Sequence, residues 1–182
     1  MSEKSVLRIK MLAKLRLMDQ STYEHRSQNI ATLLFQEQAW QRAETIGITI
    51  ARFPEVATQK IIEKAWVEGK TIAIPETENK SKAMQFREFV EGDELEMKPL
   101  GLSEPTSQAP IIPKNELDLL IVPGVIFHPE GYRIGFGGGF YDRFLVDYTG
   151  DTISLCFPEQ ISTEFIPESH DIAVQKLVIA SK

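Results

Sequence analysis

The stretch "RIGFGGGFYDRFL", residues 133–145, sets four glycines within five positions between an arginine and an Asp-Arg pair. Six of the chain's eleven glycines fall between Gly124 and Gly139, so bare backbone is concentrated here. Without Cβ atoms, the amides of Gly135, Gly137, Gly138 and Gly139 can turn together toward an anion, with Phe136 carried between them. Arg133 adds a guanidinium, and Asp142, with Arg143 beside it, adds a carboxylate suited to a hard cation. A phosphate with Mg2+ calls for that combination. The named phosphate motifs do not apply: a Walker loop needs Lys and Ser/Thr where Phe140 and Tyr141 stand, and G-x-G-x-x-G needs glycine at position 140. A wide turn whose glycines permit tight helix–sheet packing is the other reading of the same segment.

The elements around the loop must hold it at a sheet edge. "TIGITIA" (45–51), "TIAIP" (71–75), "LDLLIVP" (117–123), "TISLCF" (152–157) and "VQKLVIA" (174–180) read as strands, and "AMQFREF" (83–89) as one open to solvent on one side. "TQKIIEKAWVEG" (58–69) reads as a helix closed by Gly69, which gives a strand-helix-strand unit with parallel pairing. Leu7, Met11, Leu15 and Met18 make one apolar face of a helix from Lys4 to Met18. Ser21 and Glu24 form an S-x-x-E cap for a second helix, and a further helix is expected from Phe140 to Tyr148. Four prolines between Pro99 and Pro113 forbid regular helix there and mark a connection within one domain spanning 1–182. The expected architecture is an open three-layer α/β/α sandwich with a mostly parallel sheet. In such sheets ligands sit beyond the carboxyl ends of the strands, where the glycine segment falls.

A net charge of −6 argues against a nucleic-acid-coating surface. The single cysteine, Cys156 in an apolar run, excludes an internal disulfide and fits a cytoplasmic protein. The start has no apolar core of signal-peptide length, and the longest apolar stretch, "LLIVPGVIF", falls far short of a bilayer span, so no membrane partner is expected. His128 and His170 lie in no metal-ligand spacing and are given no role.

The segment "LDLLIVPGVIFHPEGYRIGFGGGFYDRFL" strongly resembles the signature region of the 5-formyltetrahydrofolate cyclo-ligase family, and the likeness extends to "KSVLR", "PEVATQKII", "GLSEP", "PEQI" and "ESHD". The resemblance implies the sandwich fold shared with sugar-phosphate isomerases and CoA transferases. It also implies a monomer acting on small molecules: 5-formyltetrahydrofolate and ATP give 5,10-methenyltetrahydrofolate, ADP and phosphate, with Mg2+ required. Carried over residue by residue, it makes Lys4, Arg8, Arg133 and Gly135 to Tyr141 the ATP-binding set, with Asp142 and Asp171 the metal carboxylates. Glu55, Phe53, Gly138 and Tyr141 fall to the folate, and Arg133, Tyr141 and Asp142 to catalysis. Lys4 and Arg8 stand four apart on one helix face, where two cations repel unless a shared polyanion lies between them. Phe140 stands where many members have tyrosine, Gly138 where some have lysine, and Arg52 where the position is often small or polar. On this reading Asp142→Ala abolishes turnover and leaves the fold largely intact.

Overall fold

In the computed structural model, which describes residues 1–181, the first half of the chain runs through α1 (Glu3–Leu15), α2 (Gln20–Phe35), α3 (Gln38–Arg42), β1 (Thr45–Gly47), α4 (Gln59–Val67), β2 (Thr71–Thr77) and β3 (Met84–Glu88). Then come β4 (Leu95–Lys98), β5 (Leu102–Pro105), β6 (Ile111–Ile112), β7 (Leu119–Ile121), β8 (Ile126–Phe127), β9 (Arg133–Ile134), α5 (Phe140–Leu145), β10 (Asp151–Cys156) and β11 (Lys176–Ile179). Seven strands form one sheet in the order β11-β10-β7-β1-β2-β3-β6. The pairings from β11 to β2 are parallel, and β3 and β6 add an antiparallel edge. No helix among the described residues is long and apolar enough to cross a membrane.

Period-2 alternation sends Ile46, Ile72, Ile74, Leu119, Ile121 and Ile153 to one face, where they meet Ile30 and Leu34 of α2 and Ile61, Ile62 and Ala65 of α4. Full burial of each such side chain contributes about 1.5–3 kcal/mol. The opposite face carries Ala73, Leu120 and Val122 against Phe144 and Leu145 of α5. The third layer is therefore thin, since α5 has only six residues and stops at Leu145, not Tyr148.

Several expected boundaries move, for identifiable reasons. Asp19, not Ser21, caps α2, because its two carboxylate oxygens take both the amide (2.9 Å) and the hydroxyl (2.7 Å) of Thr22. α1 ends at Leu15, three residues short of Met18. β1 is cut to Thr45–Gly47 because residues 49–51 leave the ladder for the Thr58 side chain: its hydroxyl donates to Thr49 O (2.7 Å) and accepts from Ala51 N (2.9 Å). The proline-rich connection holds no α-helix, as expected, but it does fold, giving β5, which pairs back onto β4 as a hairpin, and edge strand β6.

Gly131 fastens the β8–β9 hairpin to the C-terminal segment. With φ +93°, it accepts a hydrogen bond from Val174 N (3.0 Å), and a Cβ placed on it would lie 2.3 Å from Val174 O. Neither backbone can retreat without breaking that bond. Gly131→Ala is expected to cost roughly 2–4 kcal/mol from left-handed strain plus overpacking, read as a lower urea midpoint at unchanged m-value. An unchanged midpoint would show that the two segments are not locked together.

Candidate active site

Arg133, on β9, is the charged group at the centre of the site. It is only 6% exposed. Its guanidinium donates to Ile172 O (2.8 Å) and to Asp142 Oδ1 (3.1 Å), and the same carboxylate oxygen accepts from Ile172 N (3.1 Å). One acid in the first turn of α5 thus anchors both a buried cation and the C-terminal strand-leading segment. Burial lowers the Arg133 pKa, against the opposing charge of Asp142, but guanidinium remains protonated throughout the physiological range.

Tyr141 stands beside this pair. Its hydroxyl is buried, and among the described residues it has no hydrogen-bond partner. Burial pushes its pKa above the usual phenol range, opposed by Arg133 and reinforced by Glu55, so it is a neutral donor. A buried hydroxyl without a partner is costly, about 1–3 kcal/mol, and such groups gather where a ligand supplies the missing bond.

Glu55 reaches the site from the loop after β1. Together with Thr49, Ala51, Val56, Thr58 and Gly124 it lines a cleft at the carboxyl ends of β1, β7 and β10. The cleft encloses about 30 Å³, room for a water and not for a fused ring. A larger cavity of about 270 Å³ lies by β3 and β5, lined by Glu88, Asp93 and Glu94. The smaller one is the candidate site, because Glu55 belongs to it and Gly124 leads from it to Arg133, whose Cβ lies 3.4 Å from where a Cβ at 124 would stand. Tyr23 seals the rear: its hydroxyl donates to Glu55 O (2.7 Å), and its ring meets Phe53 edge-on at 5.1 Å.

Burial raises the Glu55 pKa, partly offset by the Arg52 amide and charge. A carboxyl held above its unfolded value binds its proton more tightly in the native state. Its contribution to stability is therefore greatest below the ordinary carboxylate range and is lost as pH rises through the native value. Glu55→Gln is expected to melt with the parent protein near pH 4 and above it at pH 7.5. Scanning calorimetry at the two pH values checks this, and equal melting temperatures at pH 7.5 would contradict it.

The N-terminal cations are already paired within the protein, which corrects the argument that only a shared polyanion reconciles them. Lys4 Nζ binds Asp171 Oδ2 at 2.8 Å and Glu168 at 3.3 Å, while Arg8 Nε donates to Gly135 O at 2.6 Å. The hydrogen bonds to Asp171 and Glu168 raise the Lys4 pKa against the larger single effect of burial, and the Lys4 bond holds the Asp171 carboxyl low despite burial.

Within the loop, Gly137 (φ +100°) and Gly139 (φ +69°) are left-handed, and Gly139 caps α5. The Phe140 ring lies 2.6 Å from where a Gly138 Cβ would be, with Lys82 Nζ 5.3 Å from the ring centroid. Phe136 and Phe53 are half exposed. A helix of six residues adds little macrodipole, so the anion-holding capacity expected of this segment falls to loop amides and side chains.

Two acids could hold a cation. Ile172 directly follows Asp171, so the Asp142–Ile172 hydrogen bond ties the two segments together, although Asp142 is not part of the group of ligand side chains that gathers around Asp171. Each has one oxygen oriented by protein donors: Arg133 and Ile172 N on Asp142, Lys4 and Glu168 N on Asp171. Hard carboxylate oxygens of fixed orientation fit Mg2+, which takes one or two carboxylates and completes its shell with water and phosphate. Ligand atoms of Glu168, His170 and Asp171 also lie within 4.8 Å of one another, which adds Glu168 to the set that the sequence pointed to. Tyr23 and Ile172 gave no local signal, since their partners are distant in the chain, whereas Glu168 stands within three residues of His170 and Asp171, a spacing that could have flagged it.

The pattern of the 5-formyltetrahydrofolate cyclo-ligase family matches residues 1–180. The 5-formyltetrahydrofolate cyclo-ligase of Escherichia coli K12 is 32% identical over 145 residues, covering 77% of this chain and 80% of that one. The mouse enzyme of the same name is 25% identical over 189 residues, covering 97% and 93%. The solved 5,10-methenyltetrahydrofolate synthetase of Aquifex aeolicus superposes with a TM-score of 0.85 at 24% identity, over 98% of this chain and 90% of that one. That of Mycoplasma pneumoniae superposes with a TM-score of 0.79 at 20% identity, over 97% and 98%. At those identities the two structures speak to the fold. Agreement of the family pattern along nearly the whole length, together with named bacterial and animal relatives, places this chain in the 5-formyltetrahydrofolate cyclo-ligase family of ligases.

Proposed function

We propose that the chain closes 5-formyltetrahydrofolate to 5,10-methenyltetrahydrofolate at the expense of ATP, with Mg2+, as a monomeric single-domain cytoplasmic enzyme. The observation that carries this reading is the buried, unpartnered Tyr141 hydroxyl, next in the chain to Asp142 and close enough to both Arg133 and Glu55 to feel their charges. A ligand polar atom there would take its hydrogen bond.

The formyl oxygen is a poor leaving group. In the proposed route it takes the γ-phosphoryl group of ATP, N10 attacks the resulting iminium-like carbon, and the oxygen departs within phosphate. The loose transition state of such a transfer spreads negative charge over its outer oxygens. Arg133, already oriented by Ile172 O and Asp142, and the amides of 137–139 oppose that charge. Lys4 and Arg8 hold the phosphates, Lys4 by exchanging part of its contact with Asp171 and Glu168. Asp142 and Asp171 would hold Mg2+, which supplies charge neutralisation at the phosphates. Tyr141 donates to the substrate, and Glu55 accepts from the ring N–H groups of the pterin. Because the cleft is narrow, entry of the pterin displaces its lining, and the half-exposed Phe53 ring is at hand to cover it.

Mixing protein, 5-formyltetrahydrofolate, ATP and Mg2+ is expected to raise near-ultraviolet absorbance from the methenyl product, with no rise when ATP or metal is omitted. A rise without ATP would overturn the route. Glu55→Gln is expected to raise the KM for folate with little change in that for ATP.

A further inference from the structure

We infer that Arg143 is a positioning residue of the glycine loop: with Arg8, its guanidinium holds the loop's carbonyls and so aims the amides of residues 137–139 at the phosphates of the nucleotide. The inference rests on the proposed function, in which this loop receives those phosphates.

Four glycines in five positions lose the most conformational entropy on ordering, and none has a side chain to anchor it. Something outside the loop must supply the order. The dipole of the helix that follows cannot, with six residues, although that helix carries one of the side chains that can. What the structure has instead is two guanidiniums on the carbonyl side. Arg143 Nη1 donates to Gly138 O (3.3 Å) and Gly139 O (3.2 Å), and Arg8 Nε donates to Gly135 O (2.6 Å).

The amide side is different. Among the described residues, the N–H groups of 136–139 have no protein acceptor. Gly137 and Gly139 have positive φ and Gly138 does not, an alternation that turns successive N–H groups into one concavity. Carbonyls gripped on one face and donors gathered on the other make a preformed anion receptor. Gly139 also leaves room for the grip, because a Cβ there would lie 2.7 Å from Arg143 Nη1. Arg143 looks like an ordinary exposed helix arginine from its position in the sequence, yet both its contacts are loop carbonyls.

The test uses the full chain with Arg143→Ala and Arg143→Lys. Losing two charge-assisted but long hydrogen bonds is expected to raise the KM for ATP about tenfold, with the KM for folate within about twofold of the parent value. Lysine, whose ammonium can donate to both carbonyls only if its more flexible stem places it where Nη1 stands, falls between. In the nucleotide-free Arg143→Ala protein, the NMR order parameters of the 137–139 amides are expected to fall, and guanidinium ion well below denaturing concentration to recover part of the ATP affinity. A merely structural arginine would lower the melting temperature and leave the ATP-to-folate KM ratio and the rescue untouched, which overturns the inference. ATP that shifts none of these amide resonances in the parent protein overturns it together with the proposed site. ATP that shifts them equally in parent and Arg143→Ala, at equal KM, overturns the inference alone.

Discussion

Asp142→Asn is expected to remain folded and to turn over at least about 100-fold more slowly than the parent, the scale on which single preorganised electrostatic groups act. The asparagine oxygen can still accept from Arg133 and Ile172 N, the two bonds now made by Oδ1. What it lacks is the negative charge that would hold Mg2+ and that balances the guanidinium. Asp142→Ala removes charge and acceptor together and leaves Arg133, 6% exposed, without its carboxylate. Breaking a buried pair on one side costs about 3–5 kcal/mol; the 23% exposure of the Asp142 side chain argues for the lower end. Alanine, while leaving the fold largely intact, should therefore lower both stability and turnover, and asparagine turnover alone. Melting temperature and kcat at saturating Mg2+ separate the two. An Asp142→Asn enzyme with parent kcat would remove the carboxylate from the chemistry.

Arg133 gives the second large effect. Arg133→Lys keeps a positive charge but not the fork, so one ammonium cannot satisfy Ile172 O and Asp142 in the geometry that the guanidinium meets. Since the proposed role is to oppose charge that grows in the transition state, kcat should fall by about 10²–10³, equivalent to ~3–4 kcal/mol, with the KM for ATP changed far less. The opposite split, a high KM at unchanged kcat, would mean that Arg133 binds nucleotide in the ground state only. Arg133→Ala should also loosen the Ile172 segment, so its melting temperature must be measured beside its rate.

The parts of this site that were legible in the sequence are those whose residues are contiguous. The run from Arg133 to Arg143 carries its glycines, its guanidinium and its acid within one turn and one short helix, and the strands before and after it announce themselves by apolar runs. The parallel sheet followed from the same patterns. What could not be read depends on partners far apart in the chain. Lys4 meets Asp171 across 167 positions, and Tyr23 meets the Glu55 backbone across 32. No periodicity encodes such pairs. Thr58 bonding to Thr49 and Ala51, which cuts β1 short, competes with the ladder through a side-chain hydroxyl, and only the assembled loop decides that contest. Strands of two residues, β8 and β9, are too short for alternation to register, yet β9 is what carries Arg133. The cap of α2 turned on Asp19 outcompeting Ser21, a choice between neighbours that are both good N-caps.

The central claim is that a triphosphate lies in the crevice formed by the amides of 137–139, Arg133 and the acids Asp142 and Asp171, beside the Glu55 cleft. A crystal structure with Mg2+ and a non-hydrolysable ATP analogue tests it most directly. The account predicts terminal phosphate density within hydrogen-bond distance of those amides and of Arg133, with the cation against Asp142 and Asp171. Nucleotide density bound elsewhere on the molecule, with these amides facing solvent alone, would contradict it.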